Sequence, residues 1–556
     1  MAVTNDSWGS RVGLILAMAG NAVGFGNFLR FPVQAIQNGG GAFIIPYLTC
    51  FLLMGIPLLF IEWTIGRYGG NYGFHSTPFM MHSMGKQRIW KYVGVFGIFS
   101  NLGIAAYYCY LESWTLSYVL HSMIGSFHGL SQEGVVLLFN NYVSINKVTL
   151  IPFESIIFFV LCLTLNIWIL SKGLSGGVEK VAKIGMPLLI IFGIFLATRA
   201  ISLKAGTDGA INDGTVGLNY LWTPNFESIM NPKVWLAAAG QIFFTLSLGM
   251  GSIQAYASYL KKDDDIALNS MSAGWMNEFV EIVLGGAIII PISVGYLGID
   301  RVTELAGLGG LGMGFKTIPY LFDQWGPILS TFSGVMWFGL LFFAGITSSL
   351  AMGVPCMSFM EDEFRWSKKK SAWIFGLVIF ILGLPTVLFF NHGVFDEYDY
   401  WTGTVSLFVF AMLECIMFSW IFGLKKGWPE FNRGAELKIP RIYKYITKFI
   451  TPVLLILVFL GALFTPKGNN WISAFQQLSL GNGWLLDNGS IIKQISNASL
   501  IEQLNQATDL ATKAQLQEKL FLINSSRALL LFVFLGVTIL VYKAYHKRKR
   551  EGRMPI

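Results

Sequence analysis

Gly20-Asn21-Ala22-Val23-Gly24-Phe25-Gly26-Asn27-Phe28-Leu29-Arg30 stands in the middle of what otherwise reads as a first membrane-spanning helix. Three glycines, two asparagines and an arginine occupy positions where lipid favours leucine. Hydrocarbon offers no hydrogen bonds, so a glycine-loosened backbone at this depth is tolerable only where it faces protein or a solvated cavity. An uncharged, oxygen-rich kink is what a sodium ion shedding its water requires.

The rest of the chain supplies the membrane setting. With 54% hydrophobic and 13% charged residues and a mean hydropathy of +0.57, it is an integral membrane protein. Met1 to Arg11 lacks a basic signal-peptide region and a small-residue cleavage site, so the first helix is expected to be retained. Cysteines 50, 109, 162, 356 and 415 all lie in apolar segments, which predicts neither a disulfide nor a cysteine metal site. Apolar runs of about twenty residues place spans near 11–37, 41–68, 89–124, 154–171, 177–201, 233–259, 268–295, 327–360, 370–390, 395–423, 446–465 and 525–544. These twelve put both ends on one side. The groups Lys86, Arg88 and Lys91; Lys172, Lys180 and Lys183; Lys261 and Lys262; Arg365 and Lys368 to Lys370; Lys425, Lys426, Arg433 and Lys438 alternate with sparser loops, so that side is read as cytoplasmic, at the inner membrane. Lys547-Arg548-Lys549-Arg550 follows the last span and marks the inner leaflet rather than a nucleic-acid site; the +8 net charge is topology.

Phe243-Phe244-Thr245-Leu246-Ser247-Leu248-Gly249-Met250-Gly251 interrupts the sixth span in the same way, five spans after the first break. Two broken helices at matching positions point to an inverted-repeat transporter with its site at the midplane. The organisation read from this is an N-terminal segment 1–10, five-helix halves at 11–201 and 233–423, two further helices within 446–544 with an extracellular insertion at about 466–524, and a basic tail at 545–556. The eighth span adds Ala344-Gly345-Ile346-Thr347-Ser348-Ser349. Gly20 and Gly24 alone would read as a helix-packing GxxxG, and Gly24-Phe25-Gly26 fails the dinucleotide pattern because Leu29 replaces its third glycine. Gly173-Leu174-Ser175-Gly176-Gly177 fits a serine-nucleophile pattern. It falls in a basic loop, and none of the six histidines lies mid-span to act as base, so an enzyme is not expected.

Trp8 through Arg30, Phe31-Pro32, Asn38-Gly39-Gly40-Gly41-Ala42-Phe43, Tyr107-Tyr108, Gln241 to Gly249 and Gly345 to Ser349 resemble the neurotransmitter:sodium symporter family, its bacterial leucine-transporting members most closely. The resemblance runs in order, with small gaps, up to about residue 465. It implies an all-α fold of twelve transmembrane helices, a 5+5 inverted repeat with unwound first and sixth helices, and sodium-driven amino acid uptake by alternating access; that geometry comes with the family. It implies two sodium ions. The first would be held by the Ala22 carbonyl, Asn27, Thr245, Asn277 and the substrate carboxylate, the second by the carbonyls of Gly20, Val23 and Ala344 with the hydroxyls of Thr347 and Ser348. Oxygen donors suit a hard cation, while back-bonding to their own helix is the plain alternative for Thr347 and Ser348. Substrate would be lined by Asn21, Ala22, Phe25, Gly26, Ile104, Tyr108, Phe244, Thr245, Ser247, Met250, Ser348 and Met352. Gly24 stands where monoamine-carrying relatives are expected to have an aspartate, so the substrate should bring its own carboxylate; Phe25, Met250 and Met352 suggest an apolar side chain whose identity stays open.

The same resemblance assigns an outer gate to Arg30, Asp399, Tyr108 and Phe244, and an inner gate to Trp8, Ser258, Tyr259 and Asp362. Asn5 replaces the arginine expected at the inner gate, and an amide cannot offer a bidentate charged fork. Glu281, four residues after Asn277, would compensate the sodium charge where chloride-dependent relatives are expected to carry serine; Tyr47, Gln241 and Thr245 complete that set, and no chloride requirement is expected. The insertion reads as polar and partly helical from Leu500 to Leu520, and its Asn488, Asn497 and Asn524 triplets carry no assigned role. The partners expected are an amino acid and the bilayer, without nucleic acid; a homodimer is compatible with the sequence. A proton-coupled transporter of the same fold and an amino acid sensor remain the alternatives.

Overall fold

Each long apolar run is helical in the computed structural model, which describes residues 7–85, 87–144, 152–224, 226 and 228–553. In chain order the elements that build the bundle are α1 (Arg11–Ala22) and α2 (Gly26–Gln37), α3 (Gly41–Gly70), α4 (Trp90–Met123), α5 (Phe153–Leu170), α6 (Leu174–Ile201), α7 (Pro232–Thr245), α8 (Ser252–Ala257), α9 (Ile266–Ala306), α10 (Pro327–Phe364), α11 (Lys368–Leu388), α12 (Val394–Phe431), α13 (Ile442–Leu463) and α14 (Leu510–Arg550). Ten of these are individually long and apolar enough to cross a membrane, and α1 with α2 forms a further span bent by 47°. The shorter pair α7 and α8 stands where the sequence places its broken sixth span. Among the described residues the only β feature is an isolated bridge between Pro466 and Leu486.

Local chemistry explains where the helices begin and stop. Ser10 Oγ accepts the Gly13 amide at 3.0 Å and starts α1. Asn231 caps α7, with Pro232 at the position where a missing amide costs nothing. The helix α1 ends because Val23 turns extended (φ −73°, ψ 102°). Beyond α7, Ser247, Gly249 and Gly251 have φ of +55°, +70° and +84°, a left-handed region in which a right-handed helix cannot continue. Gly173 is also left-handed (φ +77°), and the residues after it form the first turn of α6, so the serine-nucleophile pattern at 173–177 is a helix start and not a strand-to-helix elbow.

Packing separates centre from rim. In α4 and α9, 78% of the most apolar stretch is buried, against 33% in α13 and 28% in α14. The first two therefore form the interior, and the last two present Leu457, Leu531, Phe532 and Ile539 outward, as hydrocarbon requires. The last helix differs from the sequence expectation. It starts at Leu510, not near 525, and continues through Arg550 for 41 residues, about 60 Å at the usual rise. Asp509 caps it by accepting the Thr512 amide at 2.9 Å, and the segment 510–519 contains helix formers with no glycine or proline to stop it. The helix expected over Leu500 to Leu520 is accordingly split, with Ala498–Gln506 as a separate piece.

A Cβ on Gly285 of α9 would stand 2.2 Å from the Asn27 carbonyl oxygen, so the bundle closes around the first break only because this residue lacks a side chain. Gly285→Val should lower the melting temperature of the solubilised protein through a loss of about 1–3 kcal/mol. Gly536→Ala, with nothing within 4 Å of its added carbon, should leave the melting curve in place. Coincident curves for both variants would contradict this packing.

Candidate functional site

The two breaks face each other, and neighbouring side chains satisfy the backbone groups that the missing helical turns leave open. At the first, Gly24 N donates to Asn27 Oδ1 at 2.8 Å and Phe25 N to the Tyr108 hydroxyl at 3.2 Å. Ser348 Oγ of α10 lies 3.1 Å from the Gly20 carbonyl and 3.4 Å from those of Asn21 and Val23, while Ser247 Oγ donates to the Asn21 carbonyl at 2.8 Å. At the second, Gly249 N donates to Glu62 Oε1 at 2.7 Å and the Met250 carbonyl accepts Asn101 Nδ2 at 2.6 Å. Irregular backbone survives in an apolar interior on such terms only.

Both oxygen-rich clusters expected from the sequence come together. Asn27 Nδ2 reaches Asn277 Oδ1 at 2.8 Å, Glu281 Oε2 at 3.0 Å and Thr245 Oγ1 at 3.2 Å. Thr245 Oγ1 also donates to Glu281 Oε2, and Gln241 Nε2 donates to Glu281 Oε1 at 2.7 Å, with Tyr47 facing the same carboxylate. In the second cluster Thr347 back-bonds to the carbonyls of Phe343 and Ala344 at 2.8 and 3.3 Å, whereas Ser348 crosses to the first break. Gly20 permits that approach, since an added Cβ would stand 2.8 Å from Thr347 Cβ.

Between the breaks lies a small enclosed cavity of ≈ 20 Å³. All the expected substrate-lining residues border it except Phe25, and Gly24 and Leu407 join them. Phe25 instead packs behind, its ring 4.7 Å from that of Tyr108. Asn21 borders the cavity with its side-chain amide buried and, among the described residues, without a hydrogen-bond partner. Above, Phe244 closes the cavity and the Arg30 guanidinium lies 4.4 Å over its ring. Among the described residues no ion pair joins Arg30 to Asp399; Asp399 Oδ1 accepts the Tyr107 hydroxyl at 2.6 Å instead. Beyond Phe244 opens a second cavity of ≈ 780 Å³, lined by Arg30, Gln34, Lys233, Tyr400 and, from the segment after α13, Asn469 and Asp487.

At the end of the bundle that carries both termini, Trp8 Nε1 donates to the Tyr256 carbonyl at 3.1 Å, and Tyr259 OH meets Ser358 Oγ at 3.0 Å. Ser258 and Asp362 are linked through His75, which bonds Ser258 Oγ by Nδ1 and donates its amide to Asp362 Oδ2, both at 2.9 Å. Asn5 lies outside the described residues.

Sequence reasoning passed over His75, Leu407, Asn101 and Glu62. For Glu62 the signal was present, because a carboxylate inside an apolar span marks a site by its cost alone. Leu407 carries no such mark. Glu62→Leu should remove the acceptor of the Gly249 amide and destabilise the protein by about 1–3 kcal/mol. Glu62→Gln, which keeps an acceptor oxygen, should lose less than half as much in a thermal melt, and equal losses would contradict the hydrogen-bond account.

Residues 5–130 and 144–504 match the Sodium:neurotransmitter symporter family, a stretch that ends before α14 begins. An uncharacterized sodium-dependent transporter of Methanocaldococcus jannaschii is 33% identical over 82% of this chain and 90% of its own. A sodium-dependent nutrient amino acid transporter of Drosophila persimilis is 25% identical over 86% and 78%. The crystal structure of MhsT in complex with L-phenylalanine superposes with a TM-score of 0.70 at 29% identity, covering 82% of this chain and 99% of that one. The broken spans, the occluded cavity and these matches agree: the chain belongs to the sodium:neurotransmitter symporter family of secondary transporters, and is not an enzyme.

Proposed function

We propose that the protein imports an apolar amino acid across a cytoplasmic membrane by alternating access, driven by two sodium ions and built on inverted halves at 11–201 and 233–423. The observation that carries this reading is the convergence of two unwound helices, the two oxygen clusters and the unpartnered Asn21 amide on one enclosed cavity. The helix ends created at the breaks suit an amino acid, amide ends favouring a carboxylate and carbonyl ends an ammonium group. Ile104, Phe244, Met250, Met352 and Leu407 make the remaining wall apolar. That MhsT was crystallised with L-phenylalanine and the insect relatives are named for nutrient amino acids supports this substrate class. Lysine and arginine in the loops at the terminal end support its being cytoplasmic.

At the first sodium site Asn27 turns its Nδ2 toward Thr245 and Asn277 and its Oδ1 toward Gly24. Half a turn of that amide presents an oxygen to the ion. Glu281 lies one bond from both Asn27 and Thr245 and supplies the negative charge that two cations and a zwitterion require in a low-dielectric site. Phe244 with Tyr108 and Arg30 then forms the outer lid, and Trp8, Tyr259, Ser258 and Asp362 form the inner closure.

Uptake of a labelled amino acid panel into proteoliposomes, with and without a sodium gradient, tests the whole reading. Uptake driven equally well by a proton gradient alone would select the proton-coupled alternative, and binding without counterflow would select a sensor. Within it, Asn27→Ala and Thr245→Val should each weaken sodium and substrate binding together by about tenfold or more, since the carboxylate and the ion share a site; titrations in which only one affinity falls contradict the shared site. In Glu281→Ser, replacing external chloride by gluconate should abolish uptake, while the unmodified protein transports equally in both. Chloride dependence before mutation would refute the role given to Glu281.

A further inference from the structure

The helix α14 lies beyond the stretch that matches the family, yet it is clamped to the bundle at two points, each beside a gate carboxylate. At the outer end Arg527 Nε and Nη2 donate to the two oxygens of Glu397 at 2.6 and 3.0 Å, and Nη1 donates to the Ile495 carbonyl of the insertion at 3.0 Å. Trp401 Nε1 adds a third bond to Glu397 at 2.8 Å. Glu397 stands two residues before Asp399, on the same helix. At the inner end Arg548 Nε donates to both oxygens of Glu363 at 2.7 and 2.9 Å, with both side chains buried. Its guanidinium lies 4.8 and 4.6 Å from the ring centres of Phe74 and Phe79, which flank His75. Glu363 directly follows Asp362, and Lys547 Nζ holds its carbonyl at 2.9 Å. The basic tail read from the sequence as marking the inner leaflet gives Arg548 to the protein interior.

The spacing of the clamps decides what they do. Twenty-one residues separate the two arginines along one helix, about 31 Å at 1.5 Å per residue, close to the thickness of the hydrocarbon core. Between them one face of the helix packs on the bundle, with Leu530, Val537 and Val541 buried and Phe534 against Phe96 and Phe99, while the other face is exposed, so the two ion pairs fix the ends of a helix already seated along its length. Bidentate arginine–carboxylate pairs shielded from water are strong and directional, and removing one partner leaves a costly lone charge. We propose that α14 is a strut of the gating machinery: Arg527 is a positioning residue of the outer gate, acting through Glu397 and the insertion, and Arg548 is a positioning residue of the inner gate, acting through Glu363. Arg548 thereby supplies the cationic hold at Asp362 that Asn5 cannot. The inference rests on the alternating-access reading. Each clamp favours closure of its own side.

The test uses the full chain in lipid nanodiscs with nitroxide pairs at Ser7 and Lys369 for the inner side and at Lys233 and Thr404 for the outer side. All four are exposed, and the five native cysteines are buried, so labels go to the introduced sites. Arg548→Gln should lengthen the inner distance, shorten the outer one and raise the sodium concentration needed for half-occupancy by about fivefold, as a population shift toward the inward-open state requires. Arg527→Gln should move both distances the opposite way. Charge exchange, Arg548→Glu with Glu363→Arg, should restore the inner distance and covers the case in which the single variant folds poorly. Shifts of the same sign for both variants, or none, overturn the strut. Sodium titration of the unmodified protein separates the two layers: distances that ignore sodium reject the alternating-access reading, whereas opposed shifts in the variants are read independently of it.

Discussion

Two helices are interrupted inside an apolar bundle, and every backbone group thereby released needs a partner. The rest of the structure follows from that need. Tyr108 of α4, Ser348 of α10, and Glu62 and Asn101 of α3 and α4 each reach into a break. Ser247 of the second break reaches the Asn21 carbonyl of the first. The breaks are thus held by side chains from the most buried helices, and a change in one break is felt directly in the other. Ser247, a non-glycine residue in the left-handed region, stores a small strain of the kind kept where a site needs it.

Charge is handled by the same economy of position. The clusters around Asn27 and Ser348 offer hydroxyl, amide and carbonyl oxygens, with Glu281 as the carboxylate nearest the first. A buried carboxyl group set one bond from neutral oxygen ligands is costly to ionise unless a cation lies beside it. Glu281 meanwhile is fully hydrogen-bonded by Gln241, Asn27 and Thr245. The apolar side of the cavity takes no part in these hydrogen bonds.

Phe244 and Arg30 stand between two cavities: Phe244 borders the small one between the breaks, and Arg30, over its ring, borders the large one. At the opposite end Trp8, Tyr259 and the His75 link between Ser258 and Asp362 are closed. The two closures use different residues. The segment after α13 contributes Asn469 and Asp487 to the wall of the open cavity.

The amino-acid sequence by itself determined the membrane setting and the two breaks, and its resemblance to the family supplied nearly all of the cavity lining. Long apolar runs, and glycines and hydroxyls set within them, are local features whose cost in hydrocarbon is independent of what surrounds them. Glu62, equally out of place in such a run, could have been added on that ground. Tertiary structure alone decided which oxygens meet: that Thr347 bonds within its helix while its neighbour Ser348 crosses to another, that Phe25 turns behind Tyr108, and that Leu407 completes the wall. It also decided that Arg548, one of four consecutive basic residues, is buried on Glu363. The physical reason is that pairing depends on where a helix face points after it packs, and α14 runs past its apolar stretch at both ends, which brings residues distant in the chain to the two gates.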